Sequence, residues 1–143
     1  MFHKIKNVTA LPDFVVLAHF ADGTEKVYDV KPLMKQYEVF RTLEDIPRLF
    51  EQVHADVGGY GIVWNEEIDL DAEEIWVNGE SVQTPFYGLI ALSDATALWN
   101  LSESTLRKAI SYGKLKNGTD AFNFGSQWIV TADAMRREYG VIK

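Results

Sequence analysis

The chain has 143 residues, no cysteine and a formal net charge of −7, with enough apolar and aromatic side chains to bury a core as one domain or two small ones. The missing cysteine excludes disulfides, thiolate metal sites and thiol nucleophiles, which fits a reducing cytoplasm. No apolar run approaches the roughly 18 residues of a membrane helix, and Met1-Phe2-His3-Lys4-Ile5-Lys6 lacks the apolar stretch and cleavage site of a signal peptide.

The charge is unevenly spread. Residues 1–88 carry seven basic against sixteen acidic side chains, a net of −9, while residues 89–143 carry seven against five, a net of +2. Two parts with different partners are expected, since a local basic face can meet phosphate while an acidic module stays away from it. The alternative is chance segregation on one surface.

In chain order, His3 to Leu11 alternates weakly, and Phe14 to Phe20 is dense in strand formers. Ala21-Asp22-Gly23-Thr24 supplies the Asp-Gly pair that accepts the positive φ of a hairpin turn. Thr24 to Val30 returns as a strand, and Pro32, lacking a ladder donor, is expected to end it. Leu33, Met34 and Tyr37 suit one helical turn. Leu43 to Val53 reads as a short helix with Asp45 as N-cap, Pro47 in the first turn and Leu49, Phe50 and Val53 on one face. Strands are expected at 53–57 and 60–64 around Gly58-Gly59, followed by alternation at Ile68-Asp69-Leu70. Asp71 caps a helical turn ending near Trp76, and Asn78-Gly79 signals a turn. Glu80 to Gly88, with Pro85, is the linker candidate. These readings give an α+β fold: an acidic domain at 1–80 built on an antiparallel sheet with short helices, a linker at 81–88, and a second domain at 89–143.

The pattern sharpens from Leu92. Ser93 is expected to cap a helix whose Ala95, Leu98 and Trp99 share a face. Asn100 accepts a left-handed turn, Leu101 plugs it, and Ser102 caps a second helix with Leu106, Ala109 and Ile110 buried. That helix presents Ser104, Thr105, Arg107, Lys108 and Ser111 outward and stops at Gly113. Two short helices joined by about three residues make a helix-turn-helix, whose second helix enters the major groove. Asn117-Gly118 then turns the chain, and Ala121 to Val130 reads as a hairpin around Gly125-Ser126, with Phe122, Phe124, Trp128 and Val130 directed to the helices. Thr131 caps a last helix that Gly140 stops.

Residues 92–110, together with Tyr112-Gly113-Lys114-Leu115 and Phe124-Gly125-Ser126-Gln127-Trp128-Ile129-Val130-Thr131, resemble the excisionase and MerR-type winged helix DNA-binding domains. The resemblance covers about the last 50 residues. It implies a winged helix-turn-helix that binds double-stranded DNA. Asn100 stands where that family commonly has glycine, and Ser126-Gln127 stands at a wing tip that the family often makes arginine-rich. The N-terminal part, through Phe20-Ala21-Asp22-Gly23-Thr24, Tyr28 to Leu33, Gly58 to Trp64 and Ile68-Asp69-Leu70, is similar to a small bacterial family known only as a domain of unknown function. An antitoxin role beside a small toxin-like protein is a family-level analogy from that resemblance.

Other features have bland readings. Glu66, Glu67, Asp69, Asp71, Glu73 and Glu74 suit a solvated acidic face, a docking surface for a basic partner, or a divalent-cation site, although Leu70 occupies the glycine position of a Ca²⁺ loop counted from Asn65. Gly58-Gly59-Tyr60-Gly61 has the wrong spacing for a dinucleotide fingerprint and reads as a hinge between strands. His3, His19 and His54 carry no motif, so no catalytic residue, metal site or cofactor is assigned. Trp99 and Trp128 fall on the buried phase of their elements rather than as base-stacking platforms.

The expectation is a cytoplasmic, non-enzymatic regulator of transcription that uses DNA. Its site residues are Ser104, Thr105, Arg107, Lys108, Ser111, Lys114, Lys116 and Gln127. The acidic part would mediate homodimerisation or hold a basic, toxin-like partner, with no membrane involved. The alternative is a protein-interaction adaptor using the same fold without DNA.

Overall fold

The strand-forming start folds back on itself twice. β1 (Ile5–Leu11), β2 (Val15–Phe20) and β3 (Glu25–Asp29) form an antiparallel meander, with Val16 opposite Tyr28 and Ala18 opposite Lys26 across β2 and β3. Period-2 alternation turns Val16, Ala18 and Phe20 into the core. The computed structural model describes residues 2–142; residues 1 and 143, the outer ends of the two expected domains, lie outside it. The fold is α+β, and the chain divides into two units: residues up to 20 with 24–85, and residues 21–23 with 86 onward.

In the first unit β3 leads into α1 (Lys31–Gln36) and α2 (Glu38–Asp45). Pro32 therefore opens a helix rather than merely ending a strand; it sits in the first turn, where no N–H is required. The helix expected at 43–53 is also corrected. Asp45 ends α2 instead of capping a helix, because Ile46 precedes Pro47 and is extended (φ −98°, ψ 116°). Only a 3-10 turn, Phe50–Gln52, follows. Leu49, Phe50 and Val53 are nonetheless buried. β4 (His54–Ala55), β5 (Gly61–Val63) and β6 (Asp69–Asp71) make a second small antiparallel sheet, with the Gly58-Gly59 hinge between the first two. Asp71 caps α3 (Ala72–Asn78) by accepting the Glu73 N–H at 2.8 Å. Asn78-Gly79 lies at the end of that helix, where the chain leaves it: Gly79 is extended and donates to the Ile75 carbonyl at 2.8 Å. A Cβ at Gly79 would run into the backbone oxygens of Ile75 and Val27.

β7 (Glu80–Ser81) then pairs with β3, placing Ser81 opposite Lys26. The stretch expected as linker is thus partly sheet, and Thr84 is tied to Glu25 by its N–H at 3.0 Å and its hydroxyl at 2.6 Å. Glu25 is 2 % exposed, so these bonds satisfy a buried carboxylate. Trp64, buried with Ile62, Ile68 and Ile75, donates its indole N–H to the Phe50 carbonyl at 3.1 Å.

The second unit is built from β8 (Leu89–Ala91), α4 (Leu92–Trp99), α5 (Glu103–Tyr112), β9 (Ala121–Phe124), β10 (Gln127–Thr131) and α6 (Ala132–Tyr139). Its sheet has the order β8-β10-β9, all antiparallel. Ile90, Leu106, Leu115, Val130 and Met135 form its core. Ser93 is not the cap of α4. The strand runs straight into the helix, which starts at Leu92 with Ala91 at the N-cap position and no side-chain cap.

Phe122 and Phe124 are likewise corrected. Their two-residue turn sets Ala121 opposite Val130 and Phe122 opposite Ile129. Opposed residues share a face, and Ala121 and Val130 are fully buried. The two phenylalanines are left on the outer face, 37 % and 78 % exposed.

Candidate nucleic-acid interface

Local chemistry fixes the two helices of the second unit. Asn100 takes the left-handed conformation (φ 54°, ψ 52°) that ends α4. Leu101 follows, with its N–H bonded to the Thr96 carbonyl at 3.0 Å. Ser102 starts α5 by accepting the Thr105 N–H at 3.0 Å. The helix stops at Gly113, whose φ of 87° suits glycine. Leu106 and Ala109 are buried, and Ile110 packs partly against the core.

Ser104, Thr105, Arg107, Lys108 and Ser111 are all exposed on α5. They are not equally available. The Thr105 hydroxyl is within 2.8 Å of the Ser102 hydroxyl, so it belongs to the cap. Arg107 lies 3.6 Å from Glu103 one turn earlier. Both side chains are about half exposed, so this pair is weak and readily exchanged for another anion.

Lys114 extends over the Tyr139 ring at 4.5 Å, which holds its stem against α6. Burial, reinforced by the neighbouring Glu138, raises the Tyr139 phenol, so the ring stays neutral under the cation. Lys116 is exposed, and its backbone N–H donates to the Asp120 carboxylate at 2.9 Å. That carboxylate also takes Arg137 at 2.6 Å. The Arg137 hydrogen bond and then the Lys116 N–H hold Asp120 below the usual carboxylate range. Arg137 is thereby committed to structure, and Arg136 lies 2.6 Å from Asp133.

Gln127 is exposed at the start of β10. Gln127 and Arg107 line the same depression, about 170 Å³, with Ser93, Glu103, Ser126 and Trp128. The depression thus joins the start of α4, the first two turns of α5 and the β9–β10 hairpin. The sequence points Ser93 to a cap, and so not to this depression. Nothing local links Ser93 to Gln127, which only the sheet brings near. Trp99 and Trp128 pack partly against the core, and the Trp99 indole donates to the Gly140 carbonyl at 2.7 Å.

In the first unit the histidines have separate partners: His3 with Glu73 at 2.8 Å, His19 with Glu25 at 3.4 Å, and His54 with the Gln52 carbonyl at 3.1 Å. Three of the six side chains of the acidic stretch are engaged in folding. Asp71 caps α3, Glu73 holds His3, and Glu74 accepts from the Tyr28 hydroxyl at 2.9 Å and from Asn78 at 2.9 Å. Among the described residues no group of three or more His, Asp or Glu is placed to hold a metal ion. No helix among them is long and apolar enough to cross a membrane.

No curated protein matches the chain significantly. One solved structure, NE0471 of Nitrosomonas europaea ATCC 19718, provisionally described as a DNA-binding protein, aligns with a TM-score of 0.47 and 18 % identity over 78 % of this chain and 70 % of its own. A likeness this low decides neither fold nor function. Residues 5–81, more than half of the chain, match the model of a family described as a protein of unknown function, DUF2442, and the chain belongs to that family.

Proposed function

We propose that the second unit is a winged helix-turn-helix that binds double-stranded DNA, and that the protein is a non-enzymatic, cytoplasmic transcriptional regulator. The carrying observation is the outer face of α5. Arg107 and Lys108 project from it beside exposed hydroxyls, and Arg107 shares its depression with Gln127 and Ser126 of the wing. In this reading α5 enters the major groove with Arg107 at a guanine edge or phosphate. Ser104, Thr105 and Ser111 supply hydroxyls, Lys108, Lys114 and Lys116 meet phosphates, and Gln127 contacts the backbone from the wing.

One such helix reads only a few base pairs, so the protein acts as a homodimer on paired half-sites. The acidic unit provides the dimer contact or holds a basic, toxin-like partner, as in an antitoxin. Fluorescence anisotropy with duplex DNA tests the reading. Arg107→Ala is expected to cost about 1–3 kcal/mol and relax sequence preference, and Lys108→Ala to reduce the salt slope by about one. No binding at low salt, or binding indifferent to salt, rules the reading out.

The small surplus of +2 in residues 89–143 and the uncharged wing tip Ser126-Gln127 favour a second reading. In that reading the fold is a protein-interaction adaptor. Capture of a basic partner without any DNA shift would select it.

A further inference from the structure

The first unit carries a depression that the DNA reading does not use. Its volume is about 530 Å³, within the range of small-molecule sites. Its apolar lining comes from Phe14 and Met34, and its charged lining from Lys31, Lys35, Arg41, Asp13 and Glu44. Three of the seven basic side chains in the acidic half of the sequence therefore gather here.

They are not equivalent. Lys31 is neutralised locally, 2.9 Å from Asp29 and 3.1 Å from Asp13. Arg41 instead turns toward the end of α1, donating Nε to the Met34 carbonyl at 3.2 Å and Nη2 to the Lys35 carbonyl at 3.5 Å. Those bonds fix the guanidinium plane and leave its remaining N–H groups for another acceptor. Among the described residues neither Lys35 nor Arg41 has a carboxylate within ion-pair distance. Counting Asp29 beside Lys31, three cations and three carboxylates (Asp13, Asp29 and Glu44) balance around the depression, so what singles out Lys35 and Arg41 is the lack of a direct ion pair rather than a net charge.

Its rim is also strained. Asp13 (φ 65°) and Phe14 (φ 58°) are consecutive non-glycine residues in the left-handed region, and a phenylalanine there is a true outlier. The surroundings enforce it. The Val30 N–H donates to the Phe14 carbonyl at 3.0 Å, the Lys31 ammonium donates to the Asp13 carbonyl, and the Phe14 ring sits edge-on to Phe50 at 5.2 Å. A turn held this way keeps one wall of the depression preformed.

We infer that this depression binds a small organic monoanion, a carboxylate on an apolar body. Arg41 and Lys35 take the carboxylate, and Phe14 and Met34 receive the hydrocarbon. The inference is independent of DNA binding.

NMR titration of the full-length, isotope-labelled chain tests it with three probes: phenylacetate, its neutral isostere phenylacetamide, and inorganic phosphate. Phenylacetate is expected to move the amides of Asp13, Phe14, Lys35 and Arg41, and to bind about tenfold more tightly than either other probe. Arg41→Gln and Lys35→Gln should each remove most of that advantage. If Arg41→Gln unfolds through loss of its carbonyl bonds, Lys35→Gln, which has no such bonds to lose, decides. Equal binding of phenylacetamide overturns the role of charge, and equal binding of phosphate overturns the role of the apolar wall. Absence of any shift at these residues overturns the site.

Discussion

The two units hold themselves together over different lengths of chain. In the first, the polar bonds that close the structure join distant residues: His3 to Glu73, Tyr28 to Glu74 and Glu25 to Thr84. In the second the longest such links, Trp99 to Gly140 and Arg137 to Asp120, span less of the chain, and two of its helices are started by short-range bonds, Ser102 to Thr105 and Thr131 to Ala134. The first unit therefore depends on strands meeting before its side chains can pair, a topology of high contact order. The second is specified turn by turn, by caps and left-handed stops. The lesson is functional as well. In the second unit α5 commits little of its outer face to structure, chiefly the Thr105 hydroxyl at its cap and a weak Arg107–Glu103 pair. The first unit uses three of the six side chains of its acidic stretch to fold.

The sharpest way to break this comparison is a cavity in one core. Leu106 is fully buried between the helices of the second unit. Leu106→Ala should cost about 2–5 kcal/mol and lower amide protection in α4 and α5, while the amides of β1 to β3 keep theirs. Equal loss in both sets would mean that the chain unfolds as one body, and the contrast would fail.

A smaller effect is expected at Asp120, whose side chain is 7 % exposed. Its folded-state value is lowered first by the Arg137 hydrogen bond. It therefore adds stability above its unfolded value, and that stability is lost as the pH falls through the folded one. Asp120→Asn should cost about 1–3 kcal/mol near neutral pH and flatten the acid limb of the second unit below about pH 4. An unchanged limb in circular dichroism would show that the ion pair has no such role.

The smallest effect is expected at the longest-range pair. The hydrogen bond to His3 lowers the Glu73 carboxyl, but the two side chains are 25 % and 43 % exposed. Glu73→Gln should change stability by less than about 1 kcal/mol, with the loss again on the acid side. A cost matching that of Asp120→Asn would show that the first unit relies on single polar links more than its exposure suggests.

Legibility in the sequence follows local chemistry in both units rather than the division between them. Asn100, Ser102, Gly113, Thr131 and Asp71 each act where their own chemistry predicts. Apart from Asp45, where Pro47 holds Ile46 extended, two failures lie where a neighbour in space overrules a neighbour in sequence. Ser93 was a good cap residue, but β8 pairs with β10 and carries the chain into the helix early. Glu80-Ser81 looked like linker because nothing nearby announces that β3 offers an open edge. Phe122 and Phe124 were a different failure, because the two-residue turn at Gly125-Ser126 already implies that Phe122 opposes Ile129.

The sequence by itself determined the α+β class, the caps at Asp71, Ser102 and Thr131, the left-handed stops at Asn100 and Gly113, the segregation of charge and the outward residues of α5. These rest on properties of one residue or one helical turn. Only the tertiary structure decided that Arg107 and Gln127 share a depression with Ser93, that Arg41 is set against the carbonyls of α1 beside Phe14, and that Glu25 is buried under Thr84. Each joins segments separated by a strand pairing or a helix crossing. Register and packing of the whole sheet, rather than any local preference, fix which side chains meet.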